Sequence, residues 1–480
     1  MLKISYFWHI VFIYNVMIQN TPKDRILEIT NAQKAFFKTG ATLDIGFRKE
    51  MLGRLKTAIE KWEPELSKAL WQDLHKSYEE AYLTEISIVK GEITNHIKHV
   101  AGWASRKRRY SPLKLFPSRS YTVKEPLGCS LIIAPWNYPV QLLLNPLVGA
   151  ISAGCTAMLK PSPYVPAVSK AIEDMIRETF DEKYIAVVQG NREVNGVLLE
   201  QKWDMIFFTG SPSLGRTVME AAAKNLTPVI LELGGKSPCI IDKTADLQTA
   251  ARRLAWGKTL NSGQTCIAPD YILIHKDIKE AFIKEFADQV YSLHGKDIQF
   301  DKHYVRMVNH RAFERVSGYL NDGKILFGGK CDAAARFIEP TLLDITDLDA
   351  PVMNEEIFGP VFPIVTMDDE GRSFLDKAAD FVNSREKPLA FYYFGKESDG
   401  WKIIGRTSSG GGCINDVIMH IANEKVPFGG VGNSGMGRYH DRDSFEAFSH
   451  TRSIISTGTW IDLPFRYMPY EFFSLVKKIL

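Results

Sequence analysis

The chain has 480 residues, of which 45% are hydrophobic and 24% are charged, proportions that indicate a globular protein of about two or three domains. Its formal net charge is only +3, and the basic run at residues 106–109 has no interleaved aromatic residues, so the sequence excludes nucleic acid as a partner. The six cysteines lack the spacing of metal ligands, which indicates free thiols in a reducing compartment and predicts a cytoplasmic protein without a metal site.

The first twenty residues differ in character from the rest of the chain. An apolar stretch at residues 4–17 is interrupted by polar side chains and is shorter than the ~20 residues that a membrane-spanning helix needs. No small-residue cleavage site follows it, which argues against a signal peptide. We expect residues 1–20 to lie outside the fold, with Met17 as an alternative start. The alternative interpretation is weak membrane association through this segment or through the aromatic C-terminal tail.

Apolar spacing predicts the order of the secondary structure. Residues 44–105 have helical spacing, and Pro64 is expected to end one helix and begin the next. From residue 127 short apolar runs alternate with amphipathic stretches, which predicts strands at 131–134, 156–159, 185–188, 205–208 and 229–231 and helices at 142–153, 165–180 and 212–224. A second series at 240–420 includes helices at 246–261 and 279–293 and a strand at 271–274. This alternation predicts two α/β domains with parallel sheets and a cleft between them.

Three residues could carry chemistry in that cleft. Cys266 follows a polar, glycine-containing turn; a lone cysteine is usually structural, and its polar neighbours weaken that interpretation without replacing it by a nucleophile. Glu232 ends an apolar strand before paired glycines, where desolvation would raise its pKa toward that of a general base, unless the side chain points to solvent. Asn137 stands between two prolines after a strand, where its amide could donate to an oxyanion or simply make a turn.

A glycine turn at residues 210–215 joins a predicted strand to a predicted helix. This geometry suits a phosphate group, because backbone N–H groups gather at the start of a helix. The spacing between Gly210 and Gly215 approaches that of a phosphate-binding loop, but Arg216 replaces its lysine, which argues against a nucleoside triphosphatase. Taken alone, such an element is more often a plain strand–turn–helix than a nucleotide site. Tight turns at residues 355–360 and 427–435 are not diagnostic either.

Taken together and in this order, the motifs resemble those of the aldehyde dehydrogenase superfamily over residues 25–470. The chain is most similar to the class 3 branch, which has sequences close to residues 408–416 and 448–452. The resemblance implies an α/β fold with a Rossmann-like, parallel-sheet cofactor domain, a second α/β catalytic domain and a small oligomerisation element. The cofactor domain corresponds to residues 21–104 with 127–232 and the catalytic domain to residues 233–419. The oligomerisation element corresponds to residues 105–126 with 420–480. It also implies a homodimer.

The same resemblance implies NAD(P)-dependent oxidation of an aldehyde to a carboxylic acid. Cys266 matches the nucleophile that forms a thiohemiacetal and then a thioester, Asn137 matches the oxyanion donor, and Glu232 matches the base that activates water for hydrolysis. Trp256 matches the aldehyde channel. The residues that match the binding site for NAD or NADP are Trp136, Lys160, Gly210, Ser211, Gly215, Leu233, Glu356 and Phe358.

One departure and several alternatives remain at this point. Pro163 stands where related sequences often carry a glutamate that binds the adenosine 2′-hydroxyl, so we expect NADP to be accepted beside NAD. A coenzyme A-acylating dehydrogenase is the closest alternative, although the presence of Glu232 favours hydrolysis. A non-catalytic protein on the same fold would be expected to lack Cys266 or Glu232. A thiol esterase would need no cofactor.

Overall fold

The computed structural model describes residues 18–479. The apolar stretch at residues 4–17 and the alternative start Met17 lie outside the described residues, so the prediction for them stays untested. Within the described part, Asn20 already contacts the fold, because its side-chain oxygen accepts a hydrogen bond from the backbone of Asn191 (3.0 Å). None of the helices among residues 18–479 is both long and apolar enough to cross a bilayer.

The helices and strands follow the predicted alternation. The α-helices are α1 (Lys23–Lys38), α2 (Ile45–Leu74), α3 (Tyr78–Ala81), α4 (Ser87–Ala104), α5 (Gln141–Ala153), α6 (Pro166–Thr179), α7 (Arg192–Leu199), α8 (Pro212–Ala223), α9 (Leu247–Thr259), α10 (Lys279–His294), α11 (His310–Gly318), α12 (Pro351–Asn354), α13 (Phe374–Asn383), α14 (Glu397–Ile404), α15 (Arg442–Ala447) and α16 (Phe473–Ile479). A π-helical segment, Tyr82–Ile86, joins α3 to α4.

The strands are short, as expected for strands buried on both faces. They are β1 (Lys107–Arg109), β2 (Arg119–Pro126), β3 (Cys129–Ile133), β4 (Thr156–Lys160), β5 (Ile185–Val187), β6 (Met205–Gly210), β7 (Val229–Leu233), β8 (Pro238–Ile241), β9 (Tyr271–His275), β10 (Lys324–Phe327), β11 (Cys331–Asp332), β12 (Phe337–Ile338), β13 (Thr341–Asp344), β14 (Val361–Met367), β15 (Ala390–Phe394), β16 (Gly411–Ile414), β17 (Gly435–Met436) and β18 (Ser449–Ser456).

The first large sheet has the order β17-β7-β6-β3-β4-β5 and is parallel except for β17. Successive side chains of a strand point to opposite faces. Leu131 and Ile133 of β3 therefore pack with α1, α7 and α8, whereas Ile132 packs with α5 and α6 on the other face. Helices on both faces exclude water from the sheet, which confirms the predicted Rossmann-like layering.

The second large sheet has the order β10-β13-β14-β9-β8-β15-β16 and is parallel except for β10. It follows the same rule of alternating faces. Ile272 and Ile274 of β9 pack with α9 and α10, and Tyr271 and Leu273 pack with α11, α13 and α14. The predicted second α/β unit is therefore present.

A small antiparallel sheet has the order β1-β2-β18. It joins two distant parts of the chain, because β2 pairs with β18 from Ser449–Pro126 to Ser456–Arg119. Its outer strand β18 is exposed over most of its length, including Ile455, which is 54% exposed. The tail beyond β18 carries further exposed aromatic residues such as Trp460 and Phe473.

The expectation that Pro64 ends a helix is wrong, since α2 continues through it from Ile45 to Leu74. A proline inside a helix removes one hydrogen bond and costs about 3 kcal/mol. Leu55 and Ile59 before it, and Leu66 after it, are completely buried, and each such side chain contributes roughly 1.5–3 kcal/mol. Burial of both halves of the helix therefore outweighs the local cost of the proline.

Candidate active site

A cleft of about 910 Å³ opens where β3, β6 and β7 end, the edge at which parallel sheets bind ligands. Most of the residues predicted to form the site line this cleft together. They are Trp136, Asn137, Gly210, Ser211, Glu232, Leu233, Cys266, Glu356 and Phe358. The sequence motifs that were ambiguous one by one thus meet in one place.

Cys266 follows a turn with an unusual backbone. Asn261, Ser262 and Gly263 adopt consecutive left-handed conformations, with φ of 50°, 54° and 71°. Such conformations are unfavourable for residues with a side chain, at about 1–3 kcal/mol each, and persist only where the surroundings hold them. At Gly263 a Cβ would lie 2.3 Å from the carbonyl oxygen of Gly359, so this position requires glycine.

A buried hydrogen-bond network holds the turn in place. The Gln264 side chain donates to the carbonyls of Asn261 (3.0 Å) and Arg306 (3.1 Å) and accepts from the backbone N–H of Val308 (3.0 Å). The Asn261 amide donates to the carbonyls of Asn137 and Gln264, both at 3.0 Å. The turn before the thiol is therefore fixed against the loop that carries Asn137.

Asn137 is 2% exposed and lies in the loop between β3 and α5. Its side-chain Nδ2 donates to the carbonyl of Gln264 (3.0 Å). An amide nitrogen carries two hydrogens, so one remains for a second acceptor on the cleft side. The next residue, Tyr138, shares a 2.6 Å hydrogen bond with Thr265, which adds a further link between the loop and the turn.

Glu232, near the end of β7, is a buried carboxyl group. It is 3% exposed, and neither of its carboxylate oxygens has a hydrogen-bond partner among the described residues. Burial raises the pKa of Glu232 well above 4.5, because desolvation disfavours the charged form. A carboxyl group in this state can accept a proton near neutral pH, as a general base must.

The same surroundings act on the thiol. Burial raises the pKa of the Cys266 thiol above its ordinary value of 9.0, and the nearby carboxylates of Glu356 and Glu232 raise it further. The thiolate is the reactive form. The thiol proton must therefore leave before Cys266 can act as a nucleophile.

Glu356 lies across the cleft, against the paired glycines that follow β7. Its Oε1 is buried without a hydrogen-bond partner, and burial, with a smaller effect of Asp270, raises its pKa to about 8. A Cβ at Gly234 would lie 2.0 Å from Oε2 of Glu356, so only glycine leaves this space open. An unpaired carboxylate oxygen beside such a space fits a ligand hydroxyl group.

Phe358 and Trp136 form one wall of the cleft. Their rings make an edge-to-face contact with centroids 5.3 Å apart, a favoured arrangement of aromatic pairs. Phe358 has a φ of 51°, an unfavourable conformation for an aromatic residue. Hydrogen bonds from Arg315 to the carbonyls of Glu356 (3.2 Å) and Ile357 (2.8 Å) fix the preceding backbone.

The predicted phosphate-binding turn borders the cleft as well. Ser211 caps α8, and Gly210 and Ser211 both line the cleft, which places the N-terminus of this 12-residue helix at the site. Gly215 lies within α8, where a Cβ would lie 2.7 Å from the Leu233 side chain. Gly215 therefore sets how closely α8 packs on β7. These residues fit a dinucleotide.

Three predicted residues do not line the cleft: Gly215, whose place in α8 is described above, Lys160 and Trp256. Lys160 ends β4 and is buried, its Nζ donates to the carbonyl of Pro161 (2.7 Å), and burial lowers its pKa to about 8. Trp256 lies on α9 and is half-buried against the main core. Neither is among the residues that border the cleft.

Sequence reasoning missed several charged residues of the cleft. Arg315 and Lys236 both line it. Lys236 donates to the carbonyls of Val352 (2.8 Å) and Glu355 (2.9 Å) and pairs with Asp270, which accepts from the backbone N–H of Ile357 (2.9 Å). Lys236 directly follows the paired glycines, and this position in the sequence could have indicated that it lines the cleft. No sequence feature indicates the same for Arg315, because it lies on a helix far along the chain.

Comparisons with known proteins agree with this site. The profile of the Aldehyde dehydrogenase family matches residues 16–454. The 4,4'-diaponeurosporen-aldehyde dehydrogenase of Staphylococcus aureus is 46% identical over 441 residues, 91% of this chain and 95% of that protein. Aldehyde dehydrogenase family 3 member B1 of Mus musculus is 42% identical over 452 residues, covering 94% and 95%. The dimeric NADP-preferring aldehyde dehydrogenase of Canis lupus familiaris is 42% identical over 432 residues, covering 90% and 94%.

A solved structure of an aldehyde dehydrogenase is also similar to this chain. The substrate-bound state of Staphylococcus aureus AldH superimposes with a TM-score of 0.92 at 45% sequence identity, over 95% of this chain and 99% of that one. This likeness extends over both large sheets and the small sheet. The chain therefore belongs to the aldehyde dehydrogenase family, with class 3 members among its relatives, and is an NAD(P)-dependent enzyme that oxidises aldehydes.

Proposed function

We propose that Cys266 is the nucleophile of the oxidation and that Asn137 and the backbone N–H of Cys266 stabilise the oxyanion. The thiol of Cys266 loses its proton to water, and its thiolate sulfur bonds to the aldehyde carbon. The π electron pair of the C=O bond moves to the carbonyl oxygen, which becomes the oxyanion of a thiohemiacetal. Collapse of this oxyanion expels hydride and leaves a thioester. The nicotinamide of the bound cofactor supplies the hydride acceptor. The observation that carries this proposal is that Cys266, Asn137 and Glu232 line one cleft.

Glu232 is the base of the second half of the reaction. It takes a proton from water as the water oxygen attacks the thioester carbon; the C–S bond breaks, and the carboxylic acid leaves. Two observations support this role: its carboxylate has no competing hydrogen-bond partner among the described residues, and its pKa is raised by burial. Splitting the reaction through a covalent intermediate replaces one difficult step with two easier ones.

The remaining predicted residues hold the cofactor. Glu356 would accept from a hydroxyl of the nicotinamide ribose, with Trp136, Leu233 and Phe358 beside the ring. The turn at Gly210, Ser211 and Gly215 would receive the pyrophosphate at the start of α8. Lys160 would contact the adenosine ribose, and Trp256 would line the aldehyde channel.

The cofactor is NAD or NADP, and we infer that this enzyme accepts NADP. Pro163, in place of an acidic residue, leaves no carboxylate there to repel a 2′-phosphate, and a relative is named NADP-preferring. Steady-state rates with each cofactor test this. Comparable kcat/KM values support it, and a kcat/KM strongly in favour of NAD contradicts it. The Pro163→Glu variant should shift the ratio toward NAD.

We propose the domain organisation and assembly as follows. Residues 21–104 and 127–232 form the cofactor domain, residues 233–419 the catalytic domain, and residues 105–126 with 420–480 the oligomerisation element of a homodimer. The exposed strand β18, with its apolar Ile454 and Ile455, supports this, as does the word dimeric in a relative's name. Light scattering should give twice the monomer mass of 54.2 kDa.

We place the enzyme in the cytoplasm. All six of its cysteines are free thiols, as expected in a reducing compartment. Exposed aromatic residues of the tail, among them Trp460 and Phe473, also suit weak association with a membrane surface. Cell fractionation tests both points, since a cytoplasmic enzyme stays in the supernatant at physiological salt.

The deciding experiment measures both products of one turnover. Wild-type enzyme should form reduced cofactor and free carboxylic acid in equal amounts without coenzyme A, across a panel of aliphatic and aromatic aldehydes. Cys266→Ser should form neither. A requirement for coenzyme A would identify an acylating dehydrogenase instead, and turnover by Cys266→Ser would overturn the proposed nucleophile.

A further inference from the structure

A buried ion pair lies behind the loop that carries Asn137. The side chains of Lys76 and Glu85 are both 0% exposed, and Nζ of Lys76 lies 2.6 Å from Oε1 of Glu85. Lys76 also donates to the carbonyl of Asn137 (3.1 Å) and lies 4.2 Å from the centroid of the Tyr138 ring. The ammonium group therefore holds the backbone of Asn137, whose side chain lines the cleft together with Cys266.

The second oxygen of Glu85 holds the other end of the same loop. It accepts from the backbone N–H groups of Val140 (2.8 Å) and Gln141 (3.3 Å), where α5 begins. The first N–H groups of a helix have no partner within the helix, and a carboxylate there is also favoured by the helix dipole. Lys76 and Glu85 thus fix the loop from Asn137 to Gln141 on both sides.

Glu80, on α3, holds the thiol-bearing turn. Its Oε1 accepts from the backbone N–H of Asn261 (2.9 Å), the first residue of the left-handed turn. Burial raises the pKa of Glu80 to about 7, against the opposing effect of Lys76. One short segment, residues 76–85, is therefore hydrogen-bonded both to the oxyanion loop and to the nucleophile turn.

The energetics of the ion pair do not explain its presence. Burying a lysine and a glutamate costs several kcal/mol of desolvation, and apolar residues of similar size often give equal or greater stability. Its contacts, however, end on the loop that carries Asn137, and a catalytic group must keep its position to within about 1 Å. A function in positioning accounts for both observations.

We infer that Lys76, Glu80 and Glu85 are positioning residues of the reaction, and that they act through Asn137 and the turn before Cys266. This inference rests on the proposed function. Glu80 positions the turn before the thiol, so its loss should slow the attack by Cys266 and the formation of reduced cofactor in the first turnover. Lys76 and Glu85 position the Asn137 amide, so their loss should slow both halves of the reaction. None of the three contacts the cofactor cleft, so cofactor affinity is independent of them.

The test measures the burst of reduced cofactor in rapid mixing with saturating cofactor, together with cofactor affinity. Glu80→Ala should slow the burst by roughly tenfold and leave the affinity unchanged. Glu80→Gln should restore the burst, because its amide oxygen accepts the same N–H group. Glu79→Ala is the matched control: Glu79 is exposed, and its variant should keep the wild-type burst. A wild-type burst rate in Glu80→Ala, or equal slowing in Glu80→Gln, would overturn the role of Glu80.

A double variant separates positioning from stability. Lys76→Met alone leaves Glu85 buried without its partner and should lower the melting temperature. Combining it with Glu85→Leu removes both charges and should recover part of the lost melting temperature, the N–H groups of Val140 and Gln141 being left without their acceptor, while the burst stays slow. A double variant that is both stable and as fast as wild type contradicts the role of the pair. If the double variant does not fold, the burst rates of Glu80→Ala and Glu80→Gln alone decide whether this segment positions the catalytic groups.

Failure of this inference is distinguishable from failure of the proposed function. Cys266→Ser is run in the same series. An inert Cys266→Ser beside fully active Glu80 and Lys76–Glu85 variants rejects only the positioning role. A burst from Cys266→Ser rejects the proposed nucleophile, and with it the inference.

Discussion

Gly234 offers a sharp test of how the cleft receives its cofactor. A Cβ at this position would lie 2.0 Å from Oε2 of Glu356 and 2.8 Å from Oε1. Contacts of a Cβ shorter than about 3.0 Å do not occur in practice, so Gly234→Ala must displace the carboxylate by about 1.0 Å. A displaced Glu356 loses its hydrogen bond to the ribose. Above pH 8, where Glu356 with its pKa of about 8 is ionised, a hydrogen bond to this charged group contributes about 1.5–3 kcal/mol, and its loss corresponds to a roughly 10- to 100-fold weaker cofactor affinity.

The neighbouring glycine supplies the control. A Cβ at Gly235 would lie 3.4 Å from Cα of Pro388, an ordinary contact, so Gly235→Ala should bind the cofactor as wild type does. Calorimetric titration measures both affinities, and thermal unfolding should be nearly unchanged in both, because a glutamate side chain can move without disturbing the core. Wild-type affinity in Gly234→Ala, or equal loss in both variants, would refute the reasoning.

Two further predictions concern the chemistry. Asn137→Ala removes an oxyanion donor and should lower kcat by about 10²–10³-fold with unchanged cofactor affinity; a kcat within threefold of wild type would contradict the assignment. Because burial raises the pKa of Glu232 well above 4.5 and only the ionised form accepts a proton, the rate of thioester hydrolysis should rise with pH through an inflection well above 4.5. Single-turnover hydrolysis measured across pH would show this inflection, and its persistence in Glu232→Gln would exclude Glu232 as its source.

The parallel sheets and the convergence of the catalytic motifs were predictable from the sequence. Runs such as the one around Leu131 are short and continuous because both faces of the strand are covered. Residues that follow such runs, among them Asn137 and Glu232, come together because the carboxyl ends of parallel strands lie at one edge. Both residues line one cleft with Cys266, and their catalytic roles stay predictions.

The supporting residues were not predictable. Glu85 and Arg315 occur in helical stretches and Lys76 in the short connection between α2 and α3, and at such places a charged residue ordinarily faces solvent. Their burial depends on which distant loop packs over them, and no local pattern records this. Pro64 was misjudged for a related reason, because local preference predicts a break while burial on both sides of the proline maintains the helix.

The most direct test of the central claim is to trap the covalent intermediate. Glu232→Gln should still attack the aldehyde and reduce one equivalent of cofactor, but should hydrolyse the thioester slowly. Mass spectrometry of the quenched variant should then find the acyl group on the peptide that contains Cys266, in an amount equal to the burst. A burst without this adduct, an adduct on another of the six cysteines, or steady turnover as fast as wild type would contradict the account.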